Sequence, residues 1–360
     1  MKHVFPLAAS FLAAGLLLCT NPAAGAGRVG GAPADTLVVG AVGDVMLGSW
    51  VIEVIRSRGP DYPYADLQPL LEQADALIGN LEAPFLADTT GIQRADKTWT
   101  FAVPPPAVAA VTAAGFDVLG LANNHILDYG PAGLFETWAV LDSVGLAHVG
   151  TGRNRTEAHR HVLIERAGTR IAVLAYSHTF PAGFWASEDR PGTAHADSLR
   201  LRRDVRRAAA EAELVVVSFH WGAELREWPK EYQQVFAHLA IDAGADLVIG
   251  HHPHTLQPLE WYRGRLIAYS LGNFVFGSYT RTARGALLLI TFADGEPVWA
   301  DLYPLDVNNL RREFRPRPVP SELWPELGSS VITAAADSAR SRQPGVEIRR
   351  RSFLRFFPPL

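Results

Sequence analysis

Five short segments of the sequence join an apolar run to side chains that bind metal ions. They span residues 39–48, 77–82, 119–128, 215–224 and 247–254. The last segment is the densest, because its apolar run ends at Gly250 and is followed by His251, His252 and His254. Gly250 permits an unusual backbone turn and Pro253 stiffens the loop, so the imidazoles can converge on one ion. Taken alone, this loop is equally compatible with a polar surface loop.

The other four segments also place potential ligands directly after an apolar run. In an open α/β sheet, ligands bind beyond the carboxyl ends of the strands, so these side chains are expected to share one cleft. Carboxylate, amide and imidazole groups together suit Mn²⁺, Fe or Zn²⁺ better than Ca²⁺, which prefers oxygen ligands. The sequence therefore predicts a site for one or two divalent ions (Mn, Fe or Zn). The side chains concerned are Asp44, Asn80, Glu82, Asn123, Asn124, His125, Asp128, His220 and Glu224.

Several of these residues have a purely structural alternative. Asp44 has the position of a helix N-cap. One of Asn123 and Asn124 is expected to be a turn former. His220 can simply cap an edge position. We treat the remaining histidines as ordinary surface or core residues, because none of them follows a comparable apolar run.

The elements that must position these side chains follow from the apolar pattern. Predicted strands alternate with predicted helices as far as His254, which is typical of an α/β fold. Later strands are separated by turn signals at 263–264 and 294–295, which indicate antiparallel hairpins. The predicted strands are 36–42, 76–79, 118–121, 171–176, 214–219, 246–249, 259–262, 266–270, 286–292 and 298–305, with a hairpin over 164–172. The predicted helices lie near 50–58, 66–74, 105–114, 131–144, 197–212 and 230–243.

Length and composition narrow the class of protein. The chain has 360 residues, of which 48% are hydrophobic and 19% charged. It can therefore bury a large core, and it has too few charges for a largely disordered protein. A net charge of −4 gives no support for nucleic acid as a partner.

The amino terminus has the pattern of an export signal. A basic start, an apolar run over 4–18 and small residues at 24–26 predict a signal peptide of residues 1–26 and a periplasmic or extracellular protein. The alternatives are an uncleaved membrane anchor and a lipoprotein attached through Cys19, and both keep the chain at the membrane. Cleavage after Ala26 removes Cys19, the single cysteine, so the mature chain would bind metal through nitrogen and oxygen alone.

The rest of the chain is expected to form one domain with an extension. Residues 27–35 are a predicted flexible lead-in, and 36–307 form the predicted domain. Residues 308–360 are expected to pack on it as a C-terminal extension, and their prolines imply an extended path. The stretch 349–357 mixes four arginines with three phenylalanines. It predicts a closing strand with outward arginines, or a contact with a membrane surface or an anionic polymer.

Six blocks of the sequence occur in the order of one known family. They are 43–48, 80–82, 122–125 with 128–130, 220–224, 250–254 and 270–276. In these blocks the chain resembles the poly-γ-glutamate capsule synthesis protein CapA family, a branch of the calcineurin-like metallophosphoesterase superfamily. The resemblance spans about residues 40–280. It implies a four-layer α/β/β/α sandwich of the metallophosphoesterase type with two mixed sheets.

The resemblance also implies a role for each matching residue. The implied metal ligands are Asp44, Glu82 or Asn80 in place of a bridging aspartate, Asn124, His220, His252 and His254, with His251 left over and the register between His251 and His252 open. His125 matches the general acid, and Asp128 belongs to the same block. We expect Glu224 and Asn273 either beside the metal ligands or at the substrate rim. Arg226 and Arg263 are candidates to meet an anionic substrate.

The sequence differs from the ordinary phosphoesterase pattern at two places. Met46 occupies the place of a histidine, and Asn80 and Glu82 stand where an aspartate bridges two metals. Both changes resemble those of the CapA branch. Loss of one imidazole and a changed bridge could lower the affinity for one metal or change the preferred ion.

The leading hypothesis is an exported, metal-dependent hydrolase linked to envelope or poly-γ-glutamate capsule metabolism. Its substrate would be a phosphoester or a polyglutamate-type anionic polymer, and its partners would include the capsule machinery of the envelope. One alternative is a non-catalytic accessory subunit for synthesis or export of an anionic polymer, which fits Met46 and the basic C-terminus. Another is a metal-dependent hydrolase of γ-glutamyl amide bonds, which would use the same ligands.

Overall fold

The computed structural model describes residues 36–277, 284–327, 329, 331, 345–349 and 352–359. The predicted signal peptide and the whole predicted lead-in fall outside these residues. The strands are β1 (Thr36–Met46), β2 (Ala76–Leu81), β3 (Val118–Gly120), β4 (Ala147–Val149), β5 (Thr151–Gly152), β6 (Val162–Arg166), β7 (Thr169–Ser177), β8 (Gly192–Thr193), β9 (Leu214–His220), β10 (Leu247–His251), β11 (Leu259–Tyr262), β12 (Arg265–Ala268), β13 (Asn273–Phe276), β14 (Gly285–Ala293), β15 (Glu296–Asp306), β16 (Arg317–Pro318), β17 (Val346–Arg349) and β18 (Phe353–Phe356). The helices are α1 (Val51–Arg58), α2 (Gln68–Leu71), α3 (Val108–Ala113), α4 (Gly130–Ser143), α5 (Arg155–Ala158), α6 (Ser198–Ala209), α7 (Glu231–Ala243) and α8 (Asn309–Arg312).

Two mixed sheets form the centre of the fold. The first has the order β17-β18-β15-β14-β1-β2-β3-β4, with β13 paired to β1 and β16 to β15. Strands β1 to β4 run parallel, whereas β14 and β15 are antiparallel to their neighbours. The second sheet has the order β11-β12-β10-β9-β7-β6. Its four inner strands are parallel and its two edge strands antiparallel.

Apolar side chains on both faces of each sheet create four layers. In β9, Leu214 and Val216 face a core between the two sheets, whereas Val215 and Val217 face a core shared with α6 and α7. The outer face of the first sheet packs against α1, α2, α3 and α4 in a third core. Successive side chains of a strand point to opposite faces, so a strand buried on both sides is apolar throughout. The predicted α/β/β/α sandwich with two mixed sheets is confirmed.

Several predicted elements have different bounds in the structure, and β1 continues to Met46, four residues beyond its predicted end. The helix predicted near 105 begins as a 3₁₀ turn at Pro105–Ala107, because each proline of the run 104–106 disfavours the α-helical conformation of the residue before it. The helix predicted over 66–74 is limited to α2. Strand β10 continues two residues beyond its predicted end, because it pairs with β9 as far as His251 opposite His220. The last difference decides where the histidines of this segment point.

The C-terminal part of the chain contributes strands to the first sheet. Strand β18 pairs antiparallel with β15, and Arg355 forms two bonds of 2.6 Å to the Asp301 carboxylate. This arginine therefore pairs with the sheet instead of pointing freely outward. The predicted domain boundaries stay predictions. Among the helices of the described residues, none has the length and apolar character needed to cross a membrane.

Candidate metal centre

The carboxyl ends of five strands from both sheets meet at one end of the sandwich. Asp44 of β1 lies in register with Asn80 of β2, and His220 of β9 with His251 of β10. The two sheets contact each other here, since Asn80 Nδ2 lies 2.8 Å from Asp44 Oδ1 and 3.3 Å from His220 Nδ1. The five predicted segments therefore form one cluster, and it is assembled across two stacked sheets.

Asn80 and Asn123 hold this cluster in place. Asn80 Nδ2 donates to Asp44, and Asn80 Oδ1 accepts from Asn123 Nδ2 at 3.2 Å. Asn123 Nδ2 also donates to the carbonyl oxygen of Leu81 at 2.7 Å, while Asn123 Oδ1 accepts two backbone N–H groups of the following turn. Protein groups thus occupy both amides. Asn80 positions Asp44 and His220, and Asn123 shapes the turn.

Glu82 is a buried carboxylate that hydrogen bonds do not compensate. Its exposed fraction is 0%, and neither carboxylate oxygen accepts a hydrogen bond from the described residues. His220 Nε2 lies 3.4 Å and His254 Nε2 3.7 Å from Glu82 Oε1. A buried carboxylate without hydrogen bonds is strongly unfavourable unless a cation lies beside it. This environment fits a metal ligand.

His251 lies in β10 and points away from Glu82. Its Nε2 is 3.1 Å from the carbonyl oxygen of Val42 and its Nδ1 is 3.3 Å from Ser218 Oγ. Both nitrogens therefore face protein groups between the sheets. The extra length of β10 explains this orientation, because it leaves His251 inside the strand and starts the loop at His252.

His252 and His254 are held towards the cluster by an unusual backbone. Their φ angles are +93° and +53°, values that residues with a side chain rarely adopt. The loop is fixed from both sides, since the His252 N–H donates to Asp44 Oδ2 at 3.0 Å and the Leu225 N–H donates to the Pro253 carbonyl at 2.7 Å. His254 Nδ1 then lies 3.2 Å from Asp44 Oδ2. His252 Nδ1 is buried without a hydrogen bond from any described residue.

These side chains form overlapping groups of potential metal ligands. Within each group the ligand atoms lie within 4.8 Å of one another, and the groups are Glu82–His220–His252, Glu224–His252–His254 and Asp44–Glu82–His254. Because Glu82, His252 and His254 each belong to two groups, the cluster suits one ion or two ions that share ligands. Asn124 Oδ1 lies 2.8 Å from His220 Nε2 and adds an amide oxygen. The nitrogen and oxygen donors suit Mn²⁺, Fe or Zn²⁺.

Burial and charge shift the protonation equilibria of the cluster when no metal is bound. Burial raises the pKa of Glu82 well above its usual range, and the Asp44 carboxylate adds to the rise. Burial lowers the pKa of His220 well below its usual value and that of His252 to about 3. Burial alone would lower the pKa of His254, but Glu82 and Asp44 raise it. His220 and His252 are therefore neutral and offer lone pairs to a metal, whereas metal binding at Glu82 and His254 would displace a proton from each.

His125 lies beside the cluster with its ring fixed by Asp128. His125 Nδ1 is 2.7 Å from Asp128 Oδ2, which also accepts the Phe101 N–H at 2.7 Å. The Phe101 ring packs on the imidazole at a centroid distance of 4.4 Å. Asp128 is fully buried, and its hydrogen bond to Nδ1 orients the His125 ring. Nε2 is therefore the ring nitrogen that can contact a substrate.

Lys97 is a residue of this site that the sequence patterns did not indicate. Its Nζ lies 2.8 Å from Asp128 Oδ1 and 3.0 Å from His125 Nδ1, and it also donates to the carbonyl of Asn124. Lys97 lies in the long connection between β2 and residue 105. Long connections at strand ends often carry functional residues. The length of the connection that contains Lys97 was therefore the signal in the sequence that pointed to it.

Two predicted substrate residues lie close to the histidines. Glu224 shares a ligand group with His252 and His254. Asn273 Oδ1 lies 2.9 Å from His254 Nδ1, so this amide orients the histidine.

Of the two predicted substrate arginines, Arg263 lies away from the cluster, whereas Arg226 forms a hydrogen bond within the loop that follows Glu224. Arg226 Nε donates to the Trp228 carbonyl at 3.0 Å within its own loop. Arg263 pairs with Asp242 at 3.1 Å beside the start of β12, at the opposite end of the second sheet. Lys97 is a cation of this site, and its Nζ pairs with Asp128.

Met46 packs in the third core, between the first sheet and its helices, instead of facing the cluster. It is fully buried, and its thioether sulfur accepts the Gly48 N–H at 3.2 Å. The residue that stands in place of a phosphoesterase histidine therefore stabilises the turn after β1. The imidazoles of the cluster come from β9 and the loop after β10 alone.

Gly250 is required because neighbouring groups pack closely against it, and its φ angle is not positive. A Cβ at this position would lie 2.0 Å from the Tyr269 carbonyl oxygen and 2.8 Å from Trp221 Nε1.

We expect Gly250→Ala to lower the free energy of unfolding by about 3 kcal/mol and to weaken metal binding, because the strand before His252 must shift. Chemical denaturation and metal titration check this. Gly183→Ala is the matched control and should be neutral, because a methyl group at Gly183 would meet no atom within 4 Å.

Comparison with known proteins identifies the family. Residues 38–278 match the family model described as bacterial capsule synthesis protein PGA_cap, a range that includes the whole candidate metal centre. The chain belongs to this capsule synthesis family. It is 37% identical over 295 residues to the capsule biosynthesis protein CapA of Bacillus anthracis, covering 80% of this chain and 71% of that protein. It is 33% identical over 287 residues to the PGA biosynthesis protein CapA of Bacillus subtilis strain 168, covering 79% and 74%.

Solved structures show a more distant similarity. The NAD nucleotidase of Haemophilus influenzae has a TM-score of 0.44 and 10% sequence identity to this chain. The match covers 86% of this chain and 63% of that one, so this chain spans less than two thirds of the nucleotidase. Membership of the capsule synthesis family rests on the sequence matches.

Proposed function

We propose that this member of the capsule synthesis family is an exported, metal-dependent hydrolase. Its substrate would be an anionic component of the cell envelope, a phosphoester or a poly-γ-glutamate-type polymer. The observation that carries the proposal is the Glu82 carboxylate, buried without hydrogen bonds between the imidazoles of His220 and His254. The names of the two CapA relatives, capsule biosynthesis and PGA biosynthesis, support a role in capsule polymer metabolism.

The ligand set fits one or two divalent ions. Asp44, Glu82, Asn124, His220, His252 and His254 would hold them. Bound there, a divalent ion would supply Lewis acidity and lower the pKa of a water molecule so that it becomes a nucleophile at neutral pH. The protein's own contribution is to bring imidazole, amide and carboxylate donors together in a buried site.

His125 would deliver the proton that the leaving group needs. Asp128 holds Nδ1 at 2.7 Å, so Nε2 is the atom that donates. Lys97 adds a fixed positive charge beside this imidazole. That charge would attract an anionic group of the substrate and hold it next to the general acid.

Metal-dependent hydrolysis tests the proposal. Chelator-treated protein, reloaded separately with Mn²⁺, Fe²⁺ or Zn²⁺, would be assayed on an aryl phosphate monoester, an aryl phosphate diester and a γ-glutamyl anilide. We expect at least one substrate to be cleaved only after metal is restored. Arg263→Gln, at the far end of the second sheet, should behave like wild type. If no reloaded sample cleaves any substrate faster than chelated protein, the hydrolase proposal fails.

A non-catalytic role in polymer synthesis or export is the second candidate. The position of Met46 favours it, because this residue gives the cluster no imidazole and binds the Gly48 N–H instead. This candidate predicts metal binding and polymer binding without cleavage in the same assays. Cleavage of the anilide alone would instead identify a γ-glutamyl amide hydrolase.

Export is the part of the proposal that rests on sequence alone. The pattern of residues 1–26 supports translocation, with the mature chain in the periplasm, outside the cell or held at the membrane. Deletion of residues 2–26 should leave the protein in the cytoplasm, as cell fractionation would show.

A further inference from the structure

A second polar cavity lies outside the metal centre. It is formed by α5, the loop of residues 182–197 and the first turn of α6, and its volume is about 310 Å³. Arg155, Arg190 and Arg200 line it, and we call it the arginine pocket. The one carboxylate among its described lining residues belongs to Asp197.

The arginine pocket carries an excess of positive charge. The Asp197 carboxylate already pairs with Arg200 and accepts backbone N–H groups at the start of α6. Among the described residues, no carboxylate forms an ion pair with Arg155 or Arg190. Their side chains donate to backbone carbonyls of the 182–197 loop, at 3.4 Å and 3.0 Å. Most of their N–H groups therefore remain available to an anion.

A buried histidine adds a fixed polar group to the pocket. His159 is 4% exposed and lines the cavity, and its Nδ1 lies 2.8 Å from Asp204 Oδ2. Asp204 is itself fully buried and pairs with Arg203 at 3.0 Å. Because Nδ1 is occupied, Nε2 is the nitrogen that remains for a bound molecule.

The arginine pocket lies close to the metal centre. His195 lines the pocket and stacks on His178 at a centroid distance of 5.2 Å. The backbone N–H of His178 donates to the carbonyl oxygen of His220 at 2.9 Å. One pair of stacked imidazole rings and one backbone hydrogen bond thus connect the lining of the pocket to a residue of the metal cluster.

We propose that the arginine pocket binds a carboxylate of a γ-linked glutamate polymer while a neighbouring part of the chain lies at the metal centre. Planar guanidinium groups bind carboxylates through two parallel hydrogen bonds, and two such groups here lack a carboxylate partner among the described residues. The identity of the polymer rests on the proposed function, whereas the charge of the pocket does not.

Calorimetric titration with a γ-linked glutamate oligomer of defined length tests this proposal on the full chain. The comparison ligand is an oligomer of equal length whose free carboxylates are amidated. We expect the charged oligomer to bind and the amidated one to bind at least tenfold more weakly, about the contribution of one charge-assisted pair. The double substitution Arg155→Gln, Arg190→Gln should weaken binding of the charged oligomer by about tenfold or more and leave cleavage of a small aryl substrate unchanged.

A matched charge control comes from the exposed face of α6. Arg202→Gln combined with Arg206→Gln removes the same charge away from the pocket and should retain wild-type binding. Equal binding of the charged oligomer to wild type and to the pocket double variant would overturn the proposal. So would displacement of the oligomer by inorganic phosphate at lower concentration than by free glutarate, which would identify a phosphate site. If wild type cleaves no substrate but still binds the charged oligomer more tightly than the pocket double variant does, the result counts against the proposed function and not against the pocket.

Discussion

Glu82→Gln is expected to abolish stoichiometric metal binding and to lower any hydrolytic kcat by about a thousandfold or more. The side chain keeps its size but loses the charge that lies between His220 and His254. Elemental analysis of dialysed protein, together with steady-state assays after metal reloading, measures both effects. The same change should lower the melting temperature of the metal-loaded protein, because bound metal stabilises the fold.

The behaviour in chelator distinguishes a ligand from a merely structural carboxylate. Without metal, Glu82→Gln should be at least as stable as wild type, because burial raises the pKa of Glu82 and disfavours its ionised form, so the amide removes no stabilising charge. Glu224→Gln, at an exposed carboxylate on the edge of the cluster, is the control and should lose far less metal. A Glu82→Gln protein with wild-type metal content would contradict the assignment.

His125→Ala should lower kcat by about 10²- to 10⁴-fold on substrates with a poor leaving group. On a nitrophenyl ester, whose leaving group needs no proton, we expect a loss of about tenfold or less. The reason is that His125 Nε2 is proposed to donate a proton, a step that matters only when the leaving group is basic. Parallel assays of an alkyl and a nitrophenyl ester measure the difference.

Asp128→Asn provides the matched test of how His125 is oriented. It removes the carboxylate that holds Nδ1 and pairs with Lys97, so it should show the same dependence on the leaving group with a smaller loss. An equal loss on both esters in His125→Ala would show that His125 does not act as the general acid.

The strand ends could be predicted because their signal is local. A buried run followed by a glycine and a potential metal ligand is visible in a few residues, as at Gly43 and Asp44 in the first segment. Alternation of apolar side chains also indicates which strands are buried on both faces. The sequence patterns therefore located the cluster and, with the family resemblance, the layer order.

Other features depended on tertiary contacts that no local pattern contains. The orientations of His251 and His252 depend on how far β10 pairs with β9, which only the assembled sheet decides. Asn80 resembles a ligand in sequence, but Asn123 and Asp44 occupy its amide. Lys97 reaches His125 because a long connection folds back over the strand ends. The arginine pocket likewise depends on a contact between α5 and the 182–197 loop, which are distant in sequence.

Metal analysis of the protein purified from the cell that naturally produces it tests the central claim most directly. We expect one or two ions of manganese, iron or zinc per chain in wild type and in the Arg263→Gln control. We expect a large loss of that metal in Glu82→Gln and in His252→Ala, both with folded protein. Wild-type protein that carries no stoichiometric transition metal, before and after reloading, would contradict a metal centre at these strand ends.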